Sequence, residues 1–499
     1  MNRLVFRILL TFLFAFLWFC SSDKNPVDNN QKEIDYGSIT TIKYTEHVQA
    51  LFDKYCVSCH GAQKADAGLR LDSWDNLIKG SDFGEAVIPF DADNSLMIEM
   101  LTKLRVGGTL NAHPADQGEA ALDTVKINFL ARWINEGAKN DNAQVPYANS
   151  QHRLYVCSQG ESIVNIIDAD ALVVIRNVDL TEFGLPRSAK PHHIAFDPSG
   201  QFWFVSCIDN QVNKVLKFTM DTNELVGEVS TSIPALLGYH PTDNELYISR
   251  FMDVQNPTTS IFAVNALTLQ PIDNGNSGEI LLPPGLQIPH AMGISHDGKY
   301  VYTCSFSEDQ FLVIDHATED FADAVPLGND RTPMQLTVAP NDSTIYISCI
   351  GTGEMVEIDV SNPAHRFIAD SIMIGGQPWH PTFTDDGTRV YVGNLANNNF
   401  SVINTADNSV QSFGAGDGSD GLSQPHGIEY YKSDTGVERV FISGRNVIAN
   451  RVNGTGYLSR YDFGDNEKIG TVVVIDATTN TIEKVLEIEN FGSGMRLWK

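Results

Sequence analysis

The apolar positions of the chain fall into two regimes. Between residues 40 and 142 they recur at helical spacing. Val48, Leu51, Phe52 and Tyr55 form one stripe, with Thr45 placed to cap it. Ile127, Leu130, Trp133 and Ile134 form another, within a helix expected over 125–138 that ends near Gly137. A shorter helix is expected around 95–104. From residue 146 the pattern changes to strands. An aromatic followed by branched or small residues recurs seven times: Leu154-Tyr155-Val156, Phe204-Val205-Ser206, Leu246-Tyr247-Ile248, Val301-Tyr302-Thr303, Ile345-Tyr346-Ile347, Val390-Tyr391-Val392 and Val440-Phe441-Ile442.

These aromatics stand 43 to 55 residues apart. After each comes a second strand, usually ending in an acid or amide: Asp168, Asp221, Asn265, Asp315, Asp359, Asn404 and Asp476. Before most copies lies another strand, joined by a turn such as Asp197-Pro198-Ser199-Gly200 or Asp385-Asp386-Gly387. A period in the forties with several strands per unit means propeller blades, and seven copies mean seven blades. The first copy lacks a leading strand. At the C-terminus, Gly494-Met495-Arg496-Leu497 reads like the leading strand Pro333-Met334-Gln335-Leu336. The last residues are therefore expected to complete blade one and close the ring, which removes exposed sheet edges. The fold expected is multidomain: a small all-α unit over 40–142, then an all-β seven-bladed propeller over 146–499.

Composition sharpens this. The chain has 499 residues and a net charge of −28, with 62 acidic against 34 basic residues. That excludes nucleic acid, which needs a basic footprint, and adsorption to an anionic membrane. Residues 1–20 read as an export segment: Arg3 and Arg7 precede an apolar run over 8–19, too short for a comfortable transmembrane helix. Cys20 before Ser21-Ser22-Asp23 is a candidate lipid-anchor cysteine, although Leu17-Trp18-Phe19 puts a large aromatic where a lipoprotein signal wants a small residue. A cleaved soluble form and an uncleaved anchor stay open beside it. Residues 21–39 read as a linker, polar and flexible at least to Lys32.

The chemistry concentrates at Cys56-Val57-Ser58-Cys59-His60. Two cysteines two residues apart, followed at once by histidine, are the attachment signature of c-type haem. Two thiols on one turn can add to the two vinyl groups of a porphyrin, and the next imidazole can bind its iron. A zinc site would need four ligands, and no second Cys or His pair lies nearby. A redox CxxC normally opens a helix in a βαβ unit, and none follows here.

The stretch continues with Gly68-Leu69-Arg70-Leu71-Asp72-Ser73, Leu77-Ile78-Lys79-Gly80, Val87-Ile88-Pro89, Asn94-Ser95-Leu96 and Leu130-Ala131-Arg132-Trp133-Ile134-Asn135-Glu136-Gly137-Ala138. With the haem motif this resembles the planctomycete-type cytochrome c domain, which implies one covalent haem c and electron transfer. The family usually carries Met-Pro-Pro before its last helix, whose Met is the sixth iron ligand. Here the place reads Asn111-Ala112-His113-Pro114, so His113 is expected in the sixth position opposite His60. Met97 and Met100 compete for that role, with core packing as their plainer use. An exposed loop histidine is the plainer reading of His113. The repeat region resembles YVTN-type seven-bladed propellers, a likeness specific for fold and poor for function. Its architecture is also similar to the haem-bearing domain of cytochrome-type nitrite reductases.

The leading strands align on Pro191, Pro234, Pro289, Pro333, Pro378 and Pro425, with Gly494 last. The next residues, His192, Ala235, His290, Met334, Trp379, His426 and Met495, should ring one mouth of the channel. His192, His290 and His426 form a candidate metal or second-cofactor site, against the plainer reading that such histidines hydrogen-bond a neighbouring blade. Cys157, Cys207, Cys304 and Cys349 are expected as core thiols. Three functions follow. The first is a periplasmic or surface-exposed c-type cytochrome that passes electrons to a redox protein or small redox molecule. The second is an oxidoreductase with a further site at the channel mouth. The third is a surface binding protein with accessory haem.

Overall fold

The computed structural model describes residues 34–447, 456–464 and 469–499. The export segment with Cys20, the tether up to residue 33 and parts of the blade-seven insertion lie outside the described residues.

Seven four-stranded antiparallel sheets follow one another in chain order. The seven repeated aromatics explain why the sheets pack. All are essentially inaccessible to solvent and sit in the cores between blades. Their hydroxyls are not wasted: Tyr346 and Tyr391 donate to Asn408 and Asn480, each at 2.8 Å. The acids and amides expected after the next strand make the following turn. Asp168, Asn265, Asp315, Asp359, Asn404 and Asp476 accept backbone N–H groups two residues ahead. Asp221 is the exception, because its strand ends at Thr219 and Thr219 Oγ1 accepts from Glu224 instead.

Blade one is completed by Gly492–Trp498, which pairs antiparallel with Arg153–Ser158. The ring closes as expected, but in a different register. Met495 opposes Val156 and Gly492 opposes Ser158, while Pro191 opposes Cys207, the equivalent of Ser158. Gly492, not Gly494, therefore matches the leading prolines, and Ser493 takes the place expected for Met495. Met495 instead packs between blades one and seven.

Cys157 and Cys207 share one core and Cys304 and Cys349 another, all buried and unbridged. Their opposite offsets bring them from adjacent blades into a common interior.

The N-terminal unit is less regular than an all-α domain. A π-helical turn, Tyr44–Gln49, runs into α1 (Ala50–Tyr55). Then come α2 (Trp74–Leu77), α3 (Leu96–Thr102) and α4 (Thr124–Asn135). Asp123 rather than Val125 begins α4, its carboxylate accepting from Lys126 N. Thr45 caps nothing; Lys43 holds the cap position. A two-stranded hairpin, β1 (Arg105–Val106) and β2 (Thr109–Leu110), turns through Gly107 and Gly108, both at positive φ. The packed unit also begins before residue 40. Tyr36 is buried with its ring 5.0 Å from Phe129, so the last residues of the expected linker belong to this core.

The unit sits against the propeller's first and seventh blades. Ile88 enters their shared core. Val174 N donates to Glu85 Oε2 at 2.9 Å, and Asn177 donates to Asp91 at 2.9 Å. The Arg176 guanidinium lies 4.3 Å above the Phe90 ring.

Candidate cofactor site

The π-helical turn buries Val48, and α1 buries Leu51 and Phe52, in the core with Trp133 of α4, which fixes where the chain leaves the helix. It leaves through a tight turn. Cys59 N and His60 N both donate to Cys56 O, at 3.1 and 2.9 Å. One turn thus carries both thiols and the imidazole.

His113 arrives from the other side. Asn111 N donates to Leu104 O at 2.8 Å, so the hairpin returns the chain to the end of α3. His113 N then donates to Met100 O at 2.8 Å. The rings of His60 and His113 lie with centroids 6.0 Å apart, tilted by 58° to one another. With imidazole–metal bonds of about 2 Å, rings this close could both reach one metal ion. His113 Nδ1 is held by Asp116 Oδ1 at 2.8 Å, which leaves Nε2 as the nitrogen available to a metal. His60 Nδ1 is buried without a hydrogen-bond partner. Burial, then the neighbouring His113, lowers the His60 pKa and keeps its imidazole neutral, the form that ligates. The donor set, two thiols and two imidazoles on neighbouring turns, fits an iron porphyrin.

They fit the alternatives poorly. Burial, then Cys59, pushes the Cys56 thiol up to about 12, whereas a redox CxxC needs a lowered thiol. The donor atoms of Cys56, Cys59 and His60 do not converge. Among the described residues, His240, Asp243 and His316 form the group of three His, Cys or acidic side chains with donor atoms within 4.8 Å of one another. Its nitrogens are already engaged by Gly298 O, Asp243 and Tyr247.

Of the sulfur competitors, Met97 packs on the core of the unit, and Met100 lies beside His113 through its carbonyl. Sequence reasoning missed Asp116. The signal was present as a carboxylate three residues after a candidate ligand.

The other predicted site lies at the channel mouth. There the structure brings His192 near His426 and His290, with centroids 5.8 and 6.3 Å apart. His380, one position later on its strand and expected to face differently, lies 4.7 Å from His426 centroid to centroid, and Arg445, which was not singled out, joins them. A cleft of about 1090 Å³ separates the N-terminal unit from the propeller, lined by Glu85, Asp91, Arg176, Tyr461 and Glu489. Burial raises both Glu85 and Glu489 to about 7.

A family profile described as planctomycete cytochrome C matches residues 56–105. No curated protein matches the chain significantly. Solved chains that match number 1388, so the propeller alone selects no activity. A functionally unknown protein from Desulfotomaculum acetoxidans is 14% identical, with 69% of this chain and 98% of that one covered and a TM-score of 0.50. Hydrazine synthase of Kuenenia stuttgartiensis is 18% identical over 60% of this chain and 95% of that one, at a TM-score of 0.41. The dihydro-heme d1 dehydrogenase NirN, solved in complex with DHE, is 14% identical over 90% of this chain and 98% of that one, at a TM-score of 0.45. At these identities the likeness extends to the fold alone.

Proposed function

We propose that the chain is an extracytoplasmic c-type cytochrome that holds one haem c covalently and transfers electrons. The unit around 40–142 carries the haem, and the propeller over 146–499 is its docking or substrate platform. The observation that carries this reading is the pair of neighbouring imidazoles, His60 and His113, beside the paired thiols Cys56 and Cys59. Iron porphyrin bound there supplies reversible one-electron transfer. Cys56 and Cys59 anchor it through thioethers. His60 and His113 would hold the iron, and Asp116 would raise the basicity of His113, which favours ferric iron. His113 keeps a quarter of its side chain exposed, so the site has an edge open to a partner.

Covalent haem attachment belongs outside the cytoplasm, which agrees with the export character of residues 1–20, and Cys20 is the candidate anchor. The net charge of −28 suits a basic redox protein or a small cationic redox molecule as partner. The test is expression with a c-type maturation system. Haem must survive denaturation and stain on a gel, and magnetic circular dichroism must lack a methionine–iron charge-transfer band. Loss of haem on denaturation refutes the covalent assignment, and a methionine band refutes His113.

A second reading is an oxidoreductase acting at the propeller. The buried histidines of the channel mouth favour it.

A further inference from the structure

Five leading strands of the propeller begin with a bulge. The register shifts just after Pro191, Pro234, Pro333, Pro378 and Pro425. A bulge re-aims the side chain it carries. Here it brings in His192 and His426, with His193 and His380 one position later, and His290 of the fourth blade joins them, 6.3 Å from His192 centroid to centroid. His380 and His426 lie 4.7 Å apart, and His193 and His380 lie 6.4 Å apart, centroid to centroid. All five are at most 8% exposed.

Core histidines normally spend their nitrogens on neighbours. These do not. His192 Nε2, His290 Nε2, His380 Nε2 and both nitrogens of His426 are buried without a hydrogen-bond partner. Burial keeps the imidazoles neutral: His290 is lowered to about 4 and His193 to about 3. Two tautomers can be assigned from their partners. The Gln159 amide nitrogen faces His192 Nδ1 at 2.7 Å, which puts the His192 proton on Nε2. His290 Nδ1 donates to Met334 O at 2.8 Å, which leaves Nε2 a lone pair. His380 and His426 are free to take either form.

The decisive neighbour is Arg445. Its guanidinium sits 5.0 Å from the Trp379 ring and 4.8 Å from Phe491. It acts electrostatically on His192, His380 and His426. Its Nε is buried without a partner, and among the described residues no carboxylate pairs with it. Burial alone depresses its pKa, to about 9. An unpaired buried cation is costly, and its field repels a metal ion. The donor atoms of the five histidines also fail to converge in threes within 4.8 Å.

We infer that the channel mouth binds a small inorganic oxyanion, with Arg445 as its counter-charge, the His192 Nε2–H as a fixed donor, and His380 and His426 as donors of adjustable tautomer. The lone pair on His290 Nε2, on a ring 6.3 Å from that of His192, suits an oxyanion that carries or acquires a proton. The inference does not rest on the haem assignment, and it can be tested whether or not haem is present.

The experiment is isothermal titration of the full chain, in chloride-free buffer at pH 7 and fixed ionic strength, with nitrite, sulfate and phosphate in turn. The result expected is one-to-one binding of at least one of them, accompanied by a change in tryptophan emission from Trp379. Arg445→Gln should weaken that binding by at least tenfold while the melting temperature stays near the parent's. Should Arg445→Gln fail to fold, His426→Gln is the second variant, with a weakening of several-fold expected. Failure of all three anions to bind overturns the inference, as does binding indifferent to both substitutions. Stoichiometric binding of zinc or copper(II) that is lost in His290→Ala also overturns it, because the site would then be a cation site.

Discussion

Closure of the ring by the last strand gives a sharp quantitative expectation. Met495 is 2% exposed and packs against Val156, Leu154, Val472 and Leu486, where blades one and seven meet. Met495→Ala removes its buried side chain without altering the backbone. Large-to-small changes of this kind cost about 2–5 kcal/mol. Unfolding entropy near the midpoint is about 2.1 cal/mol/K per residue, so a propeller of about 350 residues has about 0.7 kcal/mol/K. The substitution should therefore lower the propeller's melting temperature by about 3–7 °C. Lys499→Ala is the control. Its ion pair with Asp385 is at the surface and contributes about 0–1 kcal/mol, so its shift should be under about 2 °C. Deleting residues 492–499 should go further, since it bares the edge of Arg153–Ser158 and the apolar face of Leu154 and Val156. The assay is circular dichroism at about 218 nm during a slow temperature ramp, with calorimetry on the same samples. A Met495→Ala protein that melts within 1 °C of the parent refutes the reasoning, because the residue then does not lie in the joint that closes the ring.

The remaining predictions concern the cofactor and the cleft. Replacing both Cys56 and Cys59 with alanine should abolish the haem stain on a denaturing gel, while either single variant retains a weaker stain. His113→Met should raise the reduction potential and introduce the methionine–iron band; an unchanged potential in a redox titration counts against axial ligation by His113. Asp116→Asn should raise the potential by a smaller amount, since His113 becomes a weaker base. Glu489 has its folded pKa raised from 4.5 to about 7 by burial, so the folded state keeps the proton longer than the unfolded chain does. Its contribution is full below pH 4.5 and is lost as pH rises through about 7, by up to about 3 kcal/mol. Glu489→Gln, which keeps an acceptor for Asn165 and Asn177, should therefore lose less stability than the parent between pH 5 and 8 in urea titrations followed by fluorescence.

The ring was legible because its signal is redundant: seven buried aromatics, each at the same place in its blade, outvote any local ambiguity. The register of the closing strand was not. Pro191 and its equivalents mark where the other leading strands start, but Gly492-Ser493-Gly494 offers two glycines and no proline. A two-residue slip leaves the apolar alternation of Met495 and Leu497 intact, so the pattern alone cannot choose. The hairpin beside His113 escaped notice because its side chains are spent on nothing. Val106 and Leu110 are more than half exposed, and only Gly107-Gly108, needed at positive φ, marks the turn. His60 was legible from spacing, whereas His113 needed the family likeness. Asp116 became visible only when the fold set it against an imidazole. Arg445 was silent for a different reason. A lone arginine after a strand usually points to solvent, and only the closed ring turns this one inward over Trp379.

The described part of the blade-seven insertion gains a role from where it lies. Asn446, next to Arg445, is bonded through both side-chain atoms to the backbone of Tyr457, at 3.1 and 3.0 Å. Tyr457 and Ser459 donate to Glu487 on the outer strand of blade seven. Tyr461 then meets Phe83 of the N-terminal unit at 5.9 Å, and Arg105 N donates to Asp462 O at 2.7 Å. Asp116, the partner of His113, is close enough to Tyr461 to raise its pKa. One segment of chain is therefore fixed at one end beside the cation of the channel mouth and at the other beside the hairpin that delivers His113. Each bond along it is modest, worth about 1 kcal/mol. Their arrangement matters more than their sum, because it holds the N-terminal unit in register with the mouth of the propeller.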